Sequence, residues 1–265
     1  MSSEASQLDD HKNLVRAEFT RQANAYAANT SISDPERVAR LIQMVQPAPE
    51  ARVLEVATGP GYVALGFATV CREVVGIDLT EAPLAIAERQ REERGLTNVR
   101  FQVADAEDLP FSDGEFDLVL CRLAFHHLEE PGRVLREMVR VCRPHGRVAV
   151  EDLIASEHLA RAAYHNRFEN LRDLSHTRAL SLGGLLWIFA ECGLEVEGVR
   201  TDAVIQDLER WLANAQTPPD RAADIRVLIE RDAAEDLSGT APFWTAGRWH
   251  FVHRAAIVVG RKLAE

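Results

Sequence analysis

Three acids stand where short apolar runs end. Glu55 lies near the end of Arg52–Val56, Asp78 closes Val74–Ile77, and Asp105 follows Val99–Ala104. Between the first two the chain reads Ala57-Thr58-Gly59-Pro60-Gly61. Small residues at 57, 59 and 61 let the backbone approach a ligand closely where a strand turns into a helix. The helix that follows offers unpaired N–H groups and the positive end of its dipole. Gly59-x-Gly61-x-x-Ala64 alone satisfies only a loose dinucleotide fingerprint. The acids narrow the reading. A carboxylate ending the second strand can accept both hydroxyls of a ribose, and one ending the third can accept from an exocyclic amine such as adenine N6. Singly, Asp78 or Asp105 would read as a helix cap or a solvated loop residue.

A second group could move a proton. His126 and His127 follow the apolar run Phe116–Cys121, and Glu151 and Asp152 follow Arg147–Val150. Histidine titrates near neutral pH, and a carboxylate can fix its orientation. His127 is the expected base, His126 the alternative, and Asp152 the partner. The plain structural reading, that one of the two histidines only packs its loop, stands beside this. A metal site of His126, His127 and Asp152 is disfavoured because adjacent histidines on an extended segment point apart, so no metal is expected.

These residues need a frame that brings strand ends together. From about residue 51, short β-rich runs alternate with helical ones: Tyr62–Arg72, apolar almost all round; Glu81–Arg94, with Thr80 as N-cap and Gly95 at its end; and Pro131–Cys142. That alternation implies βαβ units and a parallel sheet, whose strand ends share one crevice. Residues 10–46 read as helical and amphipathic. Residues 155–192 are mostly helical, and Leu194–Val199 is strand-like. Asp207–Ala215 and Arg221–Ala234 are helices, and Trp249–Val259 is a long β-rich run. No repeat or linker appears, so one domain over 1–265 is expected: an N-terminal helical cap (1–50), a core (51–152) and a substrate-side region (153–265).

Composition agrees. The 265 residues are 46% hydrophobic and 27% charged, enough for a sizeable core. Thirty Lys+Arg against forty-one Asp+Glu give a net charge of -11, which excludes a broad nucleic-acid face. No apolar run approaches the roughly 20 residues of a membrane span. The N-terminus is too polar for a secretory signal. Cys71, Cys121, Cys142 and Cys192 lack metal or redox spacing, so reduced core thiols and a cytoplasmic location are expected.

Residues 51–152 resemble the core of class I S-adenosylmethionine-dependent methyltransferases. The small-molecule group that includes the ubiquinone and menaquinone methyltransferases, with its type 11 domain, is the most similar. The resemblance rests on Val53–Gly61, Val75–Thr80, Ala104–Phe111, Phe116–Leu120, Phe125–Pro131 and Val139–Arg147, in the expected order. It implies a Rossmann-like, doubly wound, seven-stranded, mostly parallel sheet with an antiparallel last strand and extra helices forming a lid. It implies S-adenosyl-L-methionine as cofactor, S-adenosyl-L-homocysteine as product, and O-, N- or C-methylation of a small molecule. By resemblance Glu55, Ala57 and Gly59, with Gly61 in the same turn, hold the methionine part. Asp78 binds the ribose, Leu79 packs on the adenine, and Asp105 and Ala106 read its edge. Cys121 and Arg122 lie along the methionine side, and Tyr26 covers the sulfonium by cation–π contact. Ala57 replaces the family's first glycine, which is tolerable if its φ stays negative. Gln22–Tyr26 departs from the quinone methyltransferases at that place, which argues against a quinone acceptor.

Phe19, Ala23 and Tyr26 form a helical stripe that could close over the cofactor or simply pack. Ala155–Arg178 should lie across the substrate side, where Arg172 or Arg178 could bind a carboxylate. The Trp244/Trp249 region reads as strand core or subunit contact, and a homodimer is open to such a chain. Two rivals are kept: a non-catalytic S-adenosylmethionine-binding regulator, and an NAD-dependent dehydrogenase, in which Glu55 would have no role.

Overall fold

The computed structural model describes residues 2–28 and 33–264, with side chains from residue 10 onward. Two helices come first, α1 (Ser2–Ala27) and α2 (Pro35–Val45). Asp34 caps α2 through its carboxylate on the Glu36 N–H, with Pro35 in the first turn. Positions 29–32 of the helical stretch expected at 10–46 lie outside the described residues. The core then alternates β1 (Arg52–Val56), α3 (Tyr62–Phe67), β2 (Glu73–Asp78), α4 (Glu81–Glu93), β3 (Val99–Val103) and β4 (Phe116–Arg122). After a 3₁₀ turn at Phe125–His127 come α5 (Pro131–Val141), β5 (Cys142–Ala155), α6 (Leu159–Arg172), β6 (Leu180–Ser181) and α7 (Leu182–Glu191). The chain ends with β7 (Leu194–Asp207), α8 (Leu208–Asn214), α9 (Pro219–Glu235), β8 (Phe243–Thr245) and β9 (Arg248–Lys262).

The sheet runs β3-β2-β1-β4-β5-β9-β7, with the short β6 on β5 and β8 on β9. The first five strands are parallel, and β9 is antiparallel to both its neighbours. This is the expected seven-strand doubly wound path. The order reverses between β1 and β4, and ligands bind such sheets at the strand ends beside that switch point. Glu55, Ala57, Gly59, Asp78, Leu79, Asp105, Ala106 and Arg122 lie there.

Alternation along the strands divides the core between two faces. Leu54, Val56, Val119, Cys121, Val148 and Val150 pack with Leu135 and Met138 of α5 and Phe189 of α7. Val53, Leu118, Leu120 and Ala149 pack with Leu41 of α2 and Phe67 of α3. A third cluster of Phe168, Trp211, Ile225, Ile229 and Phe251 joins α6, α8, α9 and β9 beyond the parallel strands.

Several boundaries moved for local reasons. The helix expected over 62–72 ends at Phe67, and the Asn98 side-chain amide then takes the carbonyls of Ala68 and Cys71 at 2.8 and 2.9 Å. Thr80 precedes α4 without a side-chain capping bond. β5 continues past Val150 because β9 pairs with it through Leu153, so Glu151 and Asp152 lie inside the strand rather than after it. β7 likewise runs on to Asp207 against β9.

Candidate active site

Two cavities open beside the switch point. The first lies over the ends of β1–β4 under α1, with an empty volume of about 1180 Å³ including its mouth. The second, about 840 Å³, lies between α1, β5, α6, β7 and β9. They share Phe19, Tyr26, Leu123 and His127.

In the first, the glycine turn is braced by acids. Glu55 is buried, and one of its oxygens accepts from the Thr58 hydroxyl and from the Ala64 N–H at the start of α3. Burial pushes its carboxyl up to about 8, only partly offset by those donors. Asp78 spans the same turn from β2, accepting from Gly59 N–H and Thr80 N–H at 2.9 Å each. Burial raises its pKa too, against those donors. Gly59 has φ +53°, and a Cβ there would face Tyr26 Cε1 at 3.9 Å. Gly61 does not line the cavity. It has φ +81°, and a Cβ would come within 2.8 Å of the Ala87 Cβ and 2.9 Å of the Phe101 ring. Its role is close packing of α3 on α4 and β3. Ala57 has φ +55°, so the condition of a negative φ is not met: a side-chain-bearing residue occupies the left-handed region.

Leu79, Asp105 and Ala106 line the far end. Lys12 of α1 reaches Asp105 Oδ2 and Glu107 Oε2, both at 2.7 Å. Burial works against the charge of Asp105, but Lys12 and the Glu107 N–H hold its carboxyl below the usual range. Lys12 was not expected, since a lone lysine on a polar helix reads as solvated. The available signal was that His11 and Val15 continue the Phe19-Ala23-Tyr26 stripe, and all five line the cavity.

The end of β4 leads to the candidate histidines. Cys121 is buried in the core, and its thiol is pushed up by burial, so alternation turns it away from the cavity and leaves Arg122 facing it. Arg122 Nε lies 3.3 Å from Glu151 Oε2, and Arg37 Nη2 lies 3.6 Å from Oε1. Leu123 then takes φ +53°, its N–H donating to Glu151 O at 2.7 Å. This bend and the 3₁₀ turn give the two histidines different partners, although their rings stay in contact with centroids 4.2 Å apart. His126, not His127, meets Asp152: Nδ1 lies 2.5 Å from Oδ1, and the His126 N–H donates to Oδ2 at 3.1 Å. The expected His127–Asp152 pair is therefore corrected. The 3₁₀ turn aims His126 Nδ1 at Asp152 of β5 while His127 keeps its own partners.

His127 has its own support, which sequence reasoning missed. Its Nδ1 lies 3.1 Å from Ser175 Oγ, and that hydroxyl donates to Asp173 Oδ1 at 2.6 Å. A hydroxyl has one proton. With it committed to Asp173, Ser175 accepts from His127 Nδ1–H, which leaves Nε2 with a lone pair on a ring lining both cavities. Burial, then the charge of His126, lower His127 to about 4. Burial also disfavours charge on His126, but Asp152 outweighs it and the net shift is upward. Phe19 packs edge-on to His127 at 5.0 Å, and His11 Nε2 lies 2.8 Å from His127 O.

Arg172 lines the second cavity, with its guanidinium over the Trp211 ring at 4.7 Å, whereas Arg178 is exposed and outside it. Trp244 and Trp249 pair on the exposed β8–β9 hairpin, away from both cavities.

Comparison with known proteins decides the family. A family described as a methyltransferase domain matches residues 54–150. The uncharacterized methyltransferase YcgJ of Bacillus subtilis is 31% identical over 207 residues, covering 78% of this chain and 82% of that one. The chain belongs to the methyltransferase family. The crystal structure of YcgJ superposes on this methyltransferase with TM-score 0.82 at 29% identity, covering 86% of this chain and 98% of that one. A demethylmenaquinone methyltransferase of Thermus thermophilus is 45% identical over 101 residues, 37% of this chain and 46% of its own length. The core residues of this methyltransferase thus sit in a class I fold, and among its described residues no helix is long and apolar enough to cross a membrane.

Proposed function

We propose that this methyltransferase binds S-adenosylmethionine in the first cavity and methylates a small molecule held in the second. The observation that carries the reading is the junction of the two cavities at His127, Phe19, Tyr26 and Leu123. A reaction between two bound molecules needs such a contact. The first cavity suits the cofactor: Gly59 leaves the turn backbone bare opposite Tyr26, where a Cβ would reach 3.9 Å from the ring, and the lining combines carboxylates, Leu79 and Arg122. When bound, the cofactor supplies an electrophilic methyl group on a positively charged sulfur.

The chain's own residues do the rest. Glu55, Ala57 and Gly59 shape the turn for the methionine part, and Arg122 faces the same side. Asp78 takes the ribose hydroxyls while bracing Gly59. Asp105 and Ala106 read the adenine edge beside Leu79. Tyr26 stands over the junction. Its phenol, raised by desolvation to about 12, remains neutral and presents a ring face to positive charge. His127 receives a proton from the acceptor at Nε2, with Ser175 and Asp173 holding the ring. His126 and Asp152 fix the turn that presents His127, and Arg172 offers a cation to an acidic acceptor.

Two measurements test this. S-adenosylhomocysteine should raise the melting temperature whereas NAD should not, and methyl-labelled cofactor with a metabolite extract should give a labelled small molecule by mass spectrometry. A shift with NAD alone would restore the dehydrogenase reading. Cofactor binding without any labelled product would favour the regulator.

A further inference from the structure

A second constellation lies deeper in the acceptor cavity. His165 and Glu169 are four residues apart on α6, hence on one face of the helix. His253 of β9 faces them. One ligand atom from each of His165, Glu169 and His253 lies within 4.8 Å of the other two. Both imidazoles converge on the same oxygen, at 3.2 Å from His165 and 2.6 Å from His253.

The two His–Glu spacings are close to those of chelation. Zinc takes imidazole nitrogen at about 2.0–2.1 Å and carboxylate oxygen at about 2.0–2.2 Å, so two ligands at ordinary angles stand about 3.0–3.4 Å apart. The His165–Glu169 spacing already fits, and the His253 spacing needs to open by less than an ångström. Two imidazoles and a carboxylate are a donor set suited to zinc, iron or similar first-row ions. The three residues are buried, and aromatic rings fix them: Phe168 packs 5.2 Å from His165, and Phe251 and Trp211 lie 4.8 and 5.8 Å from His253. A hydrophobic shell of this kind holds ligand rings in place. Glu169 and His253 also line the cavity, so one side of the triad faces the space assigned to the acceptor.

We propose that His165, Glu169 and His253 bind one divalent transition-metal ion in the wall of the second cavity, with an open coordination position toward it. The ligand for that position is an oxygen donor such as a phenolate, enolate or carboxylate. Ion binding stands independently, whereas use of the ion to anchor a methyl acceptor rests on the methyl-transfer reading.

The test uses the full-length chain, stripped with a chelator and titrated with Co²⁺ and Zn²⁺. One equivalent should bind, with a dissociation constant of about a micromolar or tighter, and Co²⁺ should show visible bands of low-coordinate N,O ligation. Glu169→Gln and His253→Gln should each weaken binding by about 100-fold or more, whereas His126→Gln should leave it unchanged. S-adenosylhomocysteine binding to each variant reports that it is folded. Absence of saturable binding to the wild-type chain would overturn the site, leaving a hydrogen-bonded His–Glu–His cluster, and would do so whether or not methyl transfer is observed. Binding that survives both Glu169→Gln and His253→Gln would overturn it equally.

Discussion

The two cavities that meet at His127 are built in opposite ways. The first rests on consecutive strand ends: Glu55, Asp78 and Asp105 each end a neighbouring parallel strand, and their carboxylates hold backbone N–H groups of adjoining turns. Its shape follows from the sheet. The second collects side chains from α1, β5, α6, the 173–176 turn, β7 and β9, residues separated by more than 200 positions. Its polar groups bind one another across elements, as in His126–Asp152, His127–Ser175–Asp173 and His253–Glu169, even where Asp152 and Asp173 also accept from the backbone N–H groups of His126 and Ser175. A backbone-built site can serve a constant ligand on many chains, while a site built from distant side chains can change with the acceptor.

The contrast is broken most directly by crossing substitutions between the cavities. His127→Gln should lower turnover of the labelled product by about 10²–10⁴-fold, the range for a lost general base, with S-adenosylhomocysteine affinity within about threefold of wild type. Asp78→Ala should do the reverse, weakening S-adenosylhomocysteine by about 100-fold, because losing a half-buried carboxylate that holds two N–H groups also leaves the Gly59 N–H unpaired. Isothermal titration and single-turnover rates measure the two effects. If His127→Gln loses affinity as much as rate, the cavities are not separate.

The first cavity's row of acids was legible because Glu55, Asp78 and Asp105 stand at or near the ends of apolar strands and a parallel register fixes where strands end. Asp78 and Asp105 needed only that rule, Gly59 came from the small residues of its turn, and Leu79 came from the family resemblance. The pairing of the histidines was not legible, because it depends on the φ of Leu123 and on one 3₁₀ turn, neither of which leaves a periodic signal. The Ser175–Asp173 support and the Glu169–His253 pair come from elements brought together only by the third hydrophobic cluster. Lys12 was hidden for a different reason: its long apolar stem crosses the helix stripe while its charge, which suggests solvent, meets Asp105 and Glu107.

A smaller effect tests whether Glu55 belongs to the turn as a neutral group. Its pKa in the folded chain, about 8, lies above the ordinary 4.5. Its contribution to stability is therefore fully present below about pH 4.5 and is lost as pH rises through about 8, with a slope of at most about 1.4 kcal/mol per pH unit. Urea denaturation at pH 5, 6.5 and 8 should show wild type losing stability relative to Glu55→Gln over that range. A constant difference would mean the carboxylate is ionised throughout, held by donors stronger than Thr58 and Ala64.

The smallest effect concerns Ala57, where this chain departs from the family's glycine. A left-handed alanine costs about 1–2 kcal/mol relative to its preferred conformations. Replacement by glycine removes that strain but gives the unfolded chain extra freedom worth about 0.4–1 kcal/mol. It also removes a methyl group worth at most about 0.8 kcal/mol, and Ala57 is only partly buried against the core. The terms nearly cancel, so Ala57→Gly should move the melting temperature by no more than about 2 °C. Ala57→Val adds a β-branch at the same positive φ and should destabilise by about 2 kcal/mol or more. A large gain from glycine would show that the alanine is held at a real cost, as expected if the methyl serves the bound ligand. A null result would show instead that packing against the strand-end core suffices to keep alanine in a turn that favours glycine.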